Sequence, residues 1–221
     1  MKARPLSLEE IARVREHLAD GCPSYCLRDR AIFELGINAG LRVSEICALT
    51  VGQVWQYGRI VERLELTQTK GMRPRAIPLN TAAREAVEEL IRWKRQRGER
   101  LHCDDPLFRS YRGRRLTRQG VDWRWRQVRR ACRLSGKVTT HSWRKTFATT
   151  LHQLGQPLGV IQKLLGHRSL ATTQRYLLVT PLEEEQAVAK LSQLYKSHIL
   201  TSNGVLQSVL TLTEAERGRR S

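Results

Sequence analysis

Leu8, Ile11, Val14 and Leu18 recur at helical spacing behind Ser7, with Glu10 three positions after that serine, so a capped amphipathic helix opens the chain and Gly21 ends it. A second helix is predicted from about Arg28 to Ala39, burying Ile32, Phe33, Leu35 and Ile37, with Gly40 as its stop; a short third helix begins at Ser44. The period then changes. From Arg59 to Leu66, and again from Arg75 to Leu79, β-branched and apolar residues alternate with charge, which predicts a small antiparallel hairpin or three-stranded sheet with TKGMR at its exposed tip. Asn80 or Thr81 caps a long helix to about Arg97 whose Ala83, Val87, Leu90 and Ile91 face inward. Residues 98–116 read as a loop with a short apolar piece at Leu107 and Phe108 and the basic run RSYRGRR. Further helices are expected from Gln119 to Leu134, carrying Trp123 and Trp125, then His141 to Leu154, Pro157 to Leu165 and Ser169 to Val179. A final helix runs from Glu183 to about Leu200, before a polar tail. The fold class is mainly α with a small antiparallel β-sheet.

Composition sharpens this picture. A chain of 221 residues buries a sizeable core without a disulfide or metal staple. Lys and Arg outnumber Asp and Glu by 39 to 21, a formal charge of +18, and most of the cations are arginine, whose planar fork suits phosphate. Nucleic acid is the leading partner. Cysteines at 22, 26, 47, 103 and 132 form neither an even disulfide framework nor paired zinc-type doublets, which fits reduced thiols in an intracellular protein. No apolar run of 18 residues and no apolar core of a signal peptide occur, so the expected location is cytoplasmic, with no membrane partner.

Several residues carry candidate chemistry, each with a plainer alternative. Arg42, in AGLRVSE between two apolar helices, must reach solvent or pair with Glu45; it is either half of a structural ion pair or a phosphate-binding fork oriented by that carboxylate. Lys70 at the hairpin tip is by itself a solubilising residue. His141 and Arg144 share one helix face near its N-terminus, while Trp143, Phe147 and Leu151 turn to the core. On that reading Arg144→Ala leaves the fold nearly intact. His167, after LLG, is a helix-end cap or a member of a phosphate site, and Tyr176 is either a packing wedge or a nucleophile. No further ligand stands at metal spacing from the His141 pair, so no metal and no cofactor is expected.

Four segments, AGLRVSEICALT, TKGMRPRAIPL, HSWRKTFAT and LLGHRSLATTQRY, in this order, resemble the signature segments of the tyrosine recombinases, or phage integrases, over about Leu6 to Ala189. HxxR alone is a weak signal; the ordered set is a strong one. The resemblance implies the tyrosine recombinase catalytic-domain fold for residues 1–180, with 181–221 a C-terminal helix and polar tail available for exchange between subunits. It implies catalytic roles for Arg42, Lys70, His141, Arg144, His167 and Tyr176, and double-stranded DNA as partner, bound by a homo-tetramer on paired sites with DNA-bending or directionality factors. The implied reaction is site-specific recombination through a 3′-phosphotyrosyl intermediate; related alternatives are a fimbrial-type invertase, a DNA-binding regulator and relaxation of the type IB topoisomerase kind. Most integrases carry a further helical domain before the catalytic one. This chain starts almost at the catalytic segment, with a methionine, and the expectation is a naturally short member of the size of the fimbrial switch invertases. Thr69 stands where many members have glycine before the lysine.

If the charge excess is a DNA footprint of ~6 to 10 phosphate contacts, non-specific binding weakens by roughly 10³ to 10⁵ between about 50 and 200 mM salt. A fluorescence-anisotropy titration across that range measures the slope, and a nearly flat response would remove the footprint.

Overall fold

The structure, a computed structural model, describes residues 3–20, 23–66, 74–174, 185 and 188–190. Helix α1 (Leu8–Ala19) starts as its sequence dictates: the Ser7 side chain accepts from the Glu10 N–H, and the Glu10 carboxylate accepts from the Ser7 N–H. Helix α2 (Pro23–Asn38) begins five residues earlier than the expected Arg28, because Pro23 lacks the amide hydrogen that a first helical turn leaves unused. α3 (Val43–Ala48) follows across a tight turn, and α4 (Val51–Val54) is a single turn that the apolar pattern does not reveal.

The β segments form two separate antiparallel ladders. β1 (Trp55–Gln56) pairs with β2 (Arg59–Ile60) across Tyr57 and Gly58, both at positive φ (50° and 79°), the geometry a two-residue hairpin demands. β3 (Arg63–Leu66) pairs with β4 (Arg75–Pro78), setting Leu66 opposite Arg75 and Leu64 opposite Ile77. The expected continuous strand from Arg59 to Leu66 is therefore split at residues 61 and 62. The tip carrying Lys70 lies outside the described residues.

α5 (Thr81–Gln96) is capped by Asn80, whose side chain accepts from the Ala83 N–H. α6 (Arg118–Ala131), α7 (Thr140–Gln153), α8 (Leu158–Leu165) and α9 (Leu170–Gln174) complete the described elements. The expected extension of the last helix to Val179 and the helix from Glu183 fall almost wholly outside the described residues. The chain divides into two units, Met1–Leu177 and Leu178–Ser221.

The core of the first unit is built on α2. Phe33 stacks on Trp125 of α6 with centroids 5.8 Å apart, and both meet Trp143 of α7 edge to face, at 6.0 and 4.9 Å. Trp123, two residues from Trp125, is exposed instead. A smaller cluster of Phe147, Ala148, Ile161 and Leu165 joins α7 to α8. Two glycines let α2 approach α7. A Cβ on Gly36 would sit 2.8 Å from Trp143 Cε3, and Gly40, at φ +62°, presses against the Phe147 ring while turning the chain.

Gly36→Ala gains helix propensity of about 0.5–1 kcal/mol but forces the Trp143 indole out of its seat, an overpacking cost of roughly 1–3 kcal/mol. A net loss of stability in urea denaturation is expected; a more stable variant would show that the contact yields.

Candidate functional site

The turn between α2 and α3 puts Arg42 at the N-cap of α3. Its backbone N–H donates to Glu45 Oε2 at 2.8 Å, while its guanidinium stands 3.5 Å from Oε1 and remains 30% exposed. The firm ion pair of Glu45 is with another residue. Arg75 on β4 grips both carboxylate oxygens at 2.9 Å, with both side chains buried, and its Nε donates to the Leu164 carbonyl at 3.0 Å. Glu45 is thus held by Arg75 and in turn holds the Arg42 backbone, with the Arg42 guanidinium only loosely tied to it and partly exposed. Burial opposes ionisation of Glu45, but the hydrogen bonds from Arg75 and the Arg42 amide outweigh it and lower its pKa.

Sequence reasoning passed over Arg75. Its signal was present: in the β3–β4 register it lies opposite the buried Leu66, so a charge occupies an inward position and requires a buried partner.

Arg144 departs from expectation in one respect. It is only 2% exposed and turns inward with Trp143, whereas His141 is exposed. Its Nη1 donates to the Gly40 carbonyl at 2.6 Å and its Nη2 to the Leu165 carbonyl, so it joins the α2–α3 turn to the end of α8. The expectation that Arg144→Ala leaves the fold nearly intact is corrected. Alanine would strand two carbonyls at a cost of about 1–3 kcal/mol each, besides removing the cation.

His167 follows Gly166, the left-handed C-cap of α8, and is buried. Its Nδ1 lies 3.0 Å from Oγ1 of the buried Thr173, and its backbone carbonyl accepts from Gln162 Nε2 at 3.1 Å. Burial, followed by the charges of Arg144, Arg42 and Arg75, pushes its pKa down to about 4 against the pull of Glu45. His141, in the first turn of α7, keeps much of its surface in solvent. Partial desolvation and then Arg118 still lower its pKa, with Arg42 and Arg144 acting the same way and Asp122 opposing. The same two guanidiniums depress both histidines, so Arg42, Arg144, His141 and His167 occupy one electrostatic neighbourhood. Two cations beside two imidazoles can bind an anion and offer it ring-nitrogen donors or acceptors. Lys70 and Tyr176 lie outside the described residues.

A cavity of about 640 Å³, lined by Tyr25, Arg28, Trp93, Lys94, Arg97 and Tyr111 among others, contains none of these groups. The cluster instead gathers at element ends, α3 and α7 at their N-termini and α8 at its C-terminus.

Residues 6–183 match the phage integrase family. The chain belongs to that family. Among its relatives, the tyrosine recombinase XerC of Myxococcus xanthus is 39% identical over 160 residues, covering 70% of this chain and 51% of the relative. XerC of Halalkalibacterium halodurans is 34% identical over 201 residues, covering 86% and 60%. This integrase-family chain therefore spans about half to three fifths of the length of the curated relatives it matches. The fold agrees with that of the XerA recombinase, at a TM-score of 0.70 and 25% identity over 90% of this chain and 66% of that one. XerH bound to palindromic difH substrate gives 0.69 at 23%, covering 84% and 52%. The mainly helical fold with small antiparallel ladders is the tyrosine recombinase catalytic-domain fold.

The histidine shifts fix the sign of a pH effect. His167 is held near 4 in the fold against an ordinary 6.5 unfolded, so between those values the unfolded chain binds more protons. Its contribution to stability is complete above about pH 6.5 and falls by roughly 3 kcal/mol as pH drops to about 4, with His141 shifting in the same direction. Urea midpoints at several pH values should decline through this window, and less steeply for His167→Gln; equal slopes for the two proteins count against a buried neutral His167.

Proposed function

We propose that this chain cuts and rejoins DNA strands as a site-specific recombinase, with residues 1–180 as the catalytic domain. The observation that carries the reading is the convergence of Arg42, Arg144, His141 and His167 in one electrostatic neighbourhood, with Arg42 braced through Glu45 by Arg75. Family membership supports it, as do the XerC and XerD relatives named as tyrosine recombinases and the XerH structure named as a post-cleavage complex.

In this proposal Tyr176 Oη attacks a DNA phosphorus. The new P–Oη bond forms as the bond from phosphorus to the 5′ oxygen breaks, leaving a 3′-phosphotyrosyl ester and a 5′-hydroxyl. The tyrosine proton passes to His141, directly or through water, and Lys70 protonates the departing 5′ oxygen. Arg42, Arg144 and a donor nitrogen of His167 hold the non-bridging oxygens as phosphorus becomes five-coordinate, where added negative charge makes cations most effective. The ester conserves the energy of the broken linkage, so attack by a 5′-hydroxyl of a partner strand completes exchange with no nucleotide cofactor and no metal.

The cellular setting belongs to the same proposal: a cytoplasmic homo-tetramer on paired double-stranded sites, with residues 181–221 exchanged between subunits and accessory bending or directionality factors where the site requires them. Among the described residues, no helix is long and apolar enough to cross a membrane.

Tyr176→Phe tests the chemistry. Phenylalanine keeps the ring and has no nucleophilic oxygen, so DNA affinity persists and stability changes by at most about 1–2 kcal/mol, while the covalent protein–DNA band on a denaturing gel disappears. A nicked, end-labelled substrate traps the intermediate. A variant that still forms the band excludes Tyr176 as nucleophile. Wild-type protein that binds its verified site tightly yet forms no band points to the DNA-binding regulator, and relaxation of any plasmid without paired sites points to a topoisomerase.

A further inference from the structure

In the segment between α5 and α6, three consecutive side chains bring a nitrogen, a sulfur and a carboxylate together. His102, Cys103 and Asp104 are all exposed, and one ligand atom from each lies within 4.8 Å of the others. We propose that this trio is a surface site for a borderline-soft divalent cation, with Zn²⁺ as the reference ion, separate from the DNA-cleaving centre.

The three donors lie within reach of one coordination shell. Around tetrahedral Zn²⁺, bond lengths of about 2.3 Å to sulfur and 2.0–2.1 Å to nitrogen and oxygen place sulfur and nitrogen about 3.6 Å apart and nitrogen and oxygen about 3.3 Å apart. Here Cys103 Sγ is 3.7 Å from His102 Nδ1, and Asp104 Oδ2 is 3.6 Å from the same nitrogen. Cys103 Sγ is also 4.0 Å from His102 Nε2, so the sulfur lies beside the ring, and the exposed imidazole must rotate to bring all three donors onto one ion. A mixed thiolate, imidazole and carboxylate set suits zinc and not magnesium or calcium, which take oxygen ligands.

The backbone beneath the trio is fixed without a metal. Gly52 N–H donates to the Cys103 carbonyl at 2.8 Å, Val51 N–H to the Asp105 carbonyl at 2.9 Å, and Asp105 N–H to the His102 carbonyl at 3.0 Å. The Asp105 carboxylate accepts from the His102 N–H at 3.1 Å and pairs with Arg109 at 3.0 Å, which leaves Asp104 as the third ligand. Position 52 must be glycine for this approach, because a Cβ there would come within 2.8 Å of Cys103 Cβ. The loop is therefore braced against α4 with all three side chains exposed and close together. Water fills the fourth position. On binding, Cys103 loses its thiol proton to solvent, the S–Zn bond forms, and the ion sheds the waters that the three side chains replace.

Cys103 is exposed whereas Cys26, Cys47 and Cys132 are buried, which supplies a site-specific readout. The full-length wild-type chain, reduced and stripped of metal, is titrated with ZnCl₂ by calorimetry, and alkylation of Cys103 is followed by peptide mass mapping with and without Zn²⁺. The expected result is one ion per chain and slower alkylation at Cys103, reversed by a chelator. Affinity should fall on the order of tenfold or more in Cys103→Ser and in His102→Gln, with unchanged circular dichroism. Equal alkylation rates with and without Zn²⁺, or variants that bind like wild type, overturn the site. Neither readout involves DNA, so failure here leaves the recombinase reading untouched, and the reverse holds.

Discussion

Two buried guanidiniums fasten the end of α8 to the rest of the fold, and the geometry of the site depends on them. The last carbonyls of a helix lack intrahelical donors and carry partial negative charge. Arg75 takes the Leu164 carbonyl and Arg144 the Leu165 carbonyl. Each arginine spends its other donors on a second segment, Arg75 on the Glu45 carboxylate of α3 and Arg144 on the Gly40 carbonyl of the preceding turn. A buried charge survives only when its hydrogen bonds are made, so these contacts constrain one another. Shifting α8 would break ties to both β4 and α7.

The same pair sets the electrical character of the site. Burial first, and then the charges of Arg144, Arg42 and Arg75, disfavour the protonated form of the His167 imidazole. Glu45 supplies a nearby negative charge, but that carboxylate is already engaged by Arg75. Any phosphodiester that entered the cluster would bring negative charge and favour the protonated forms of both histidines. Binding and protonation are linked in that direction by the arrangement of charge alone.

Packing carries this precision back into the core. Gly36 and Gly40, one turn apart on the α2 side, meet Trp143 and Phe147, one turn apart on α7, and Arg144 lies beside Trp143 in the same helix. The Phe33, Trp125 and Trp143 rings fix the rotation of α7 about its axis, which decides that Arg144 points to Gly40. The Leu6 N–H adds a bond to Thr146 Oγ1 at 2.9 Å, tying the segment before α1 to this helix. The aromatic cluster and the site are two ends of one mechanical arrangement.

The elements were legible in the sequence where their chemistry is local. The Ser7–Glu10 box, the Asn80 cap and the inward stripe of α5 depend on residues three or four apart, and they stand where the pattern puts them. The Tyr57–Gly58 turn was missed because a tyrosine at positive φ leaves no trace in an alternation of apolar and polar residues. Arg42, His141, Arg144 and His167 were found as an ordered set of motifs, whereas their wiring was not. Arg75 reaches Glu45 across 30 residues and Leu164 across 89, and Arg144 reaches Gly40 across 104. Sequence by itself determined which residue types the chain carries, their helical or strand period, and the family they belong to. Only the tertiary structure decided that Arg144 is buried, that Arg75 grips Glu45, and that the pKa of both histidines is lowered, because burial and charge at a point are sums over segments far apart along the chain.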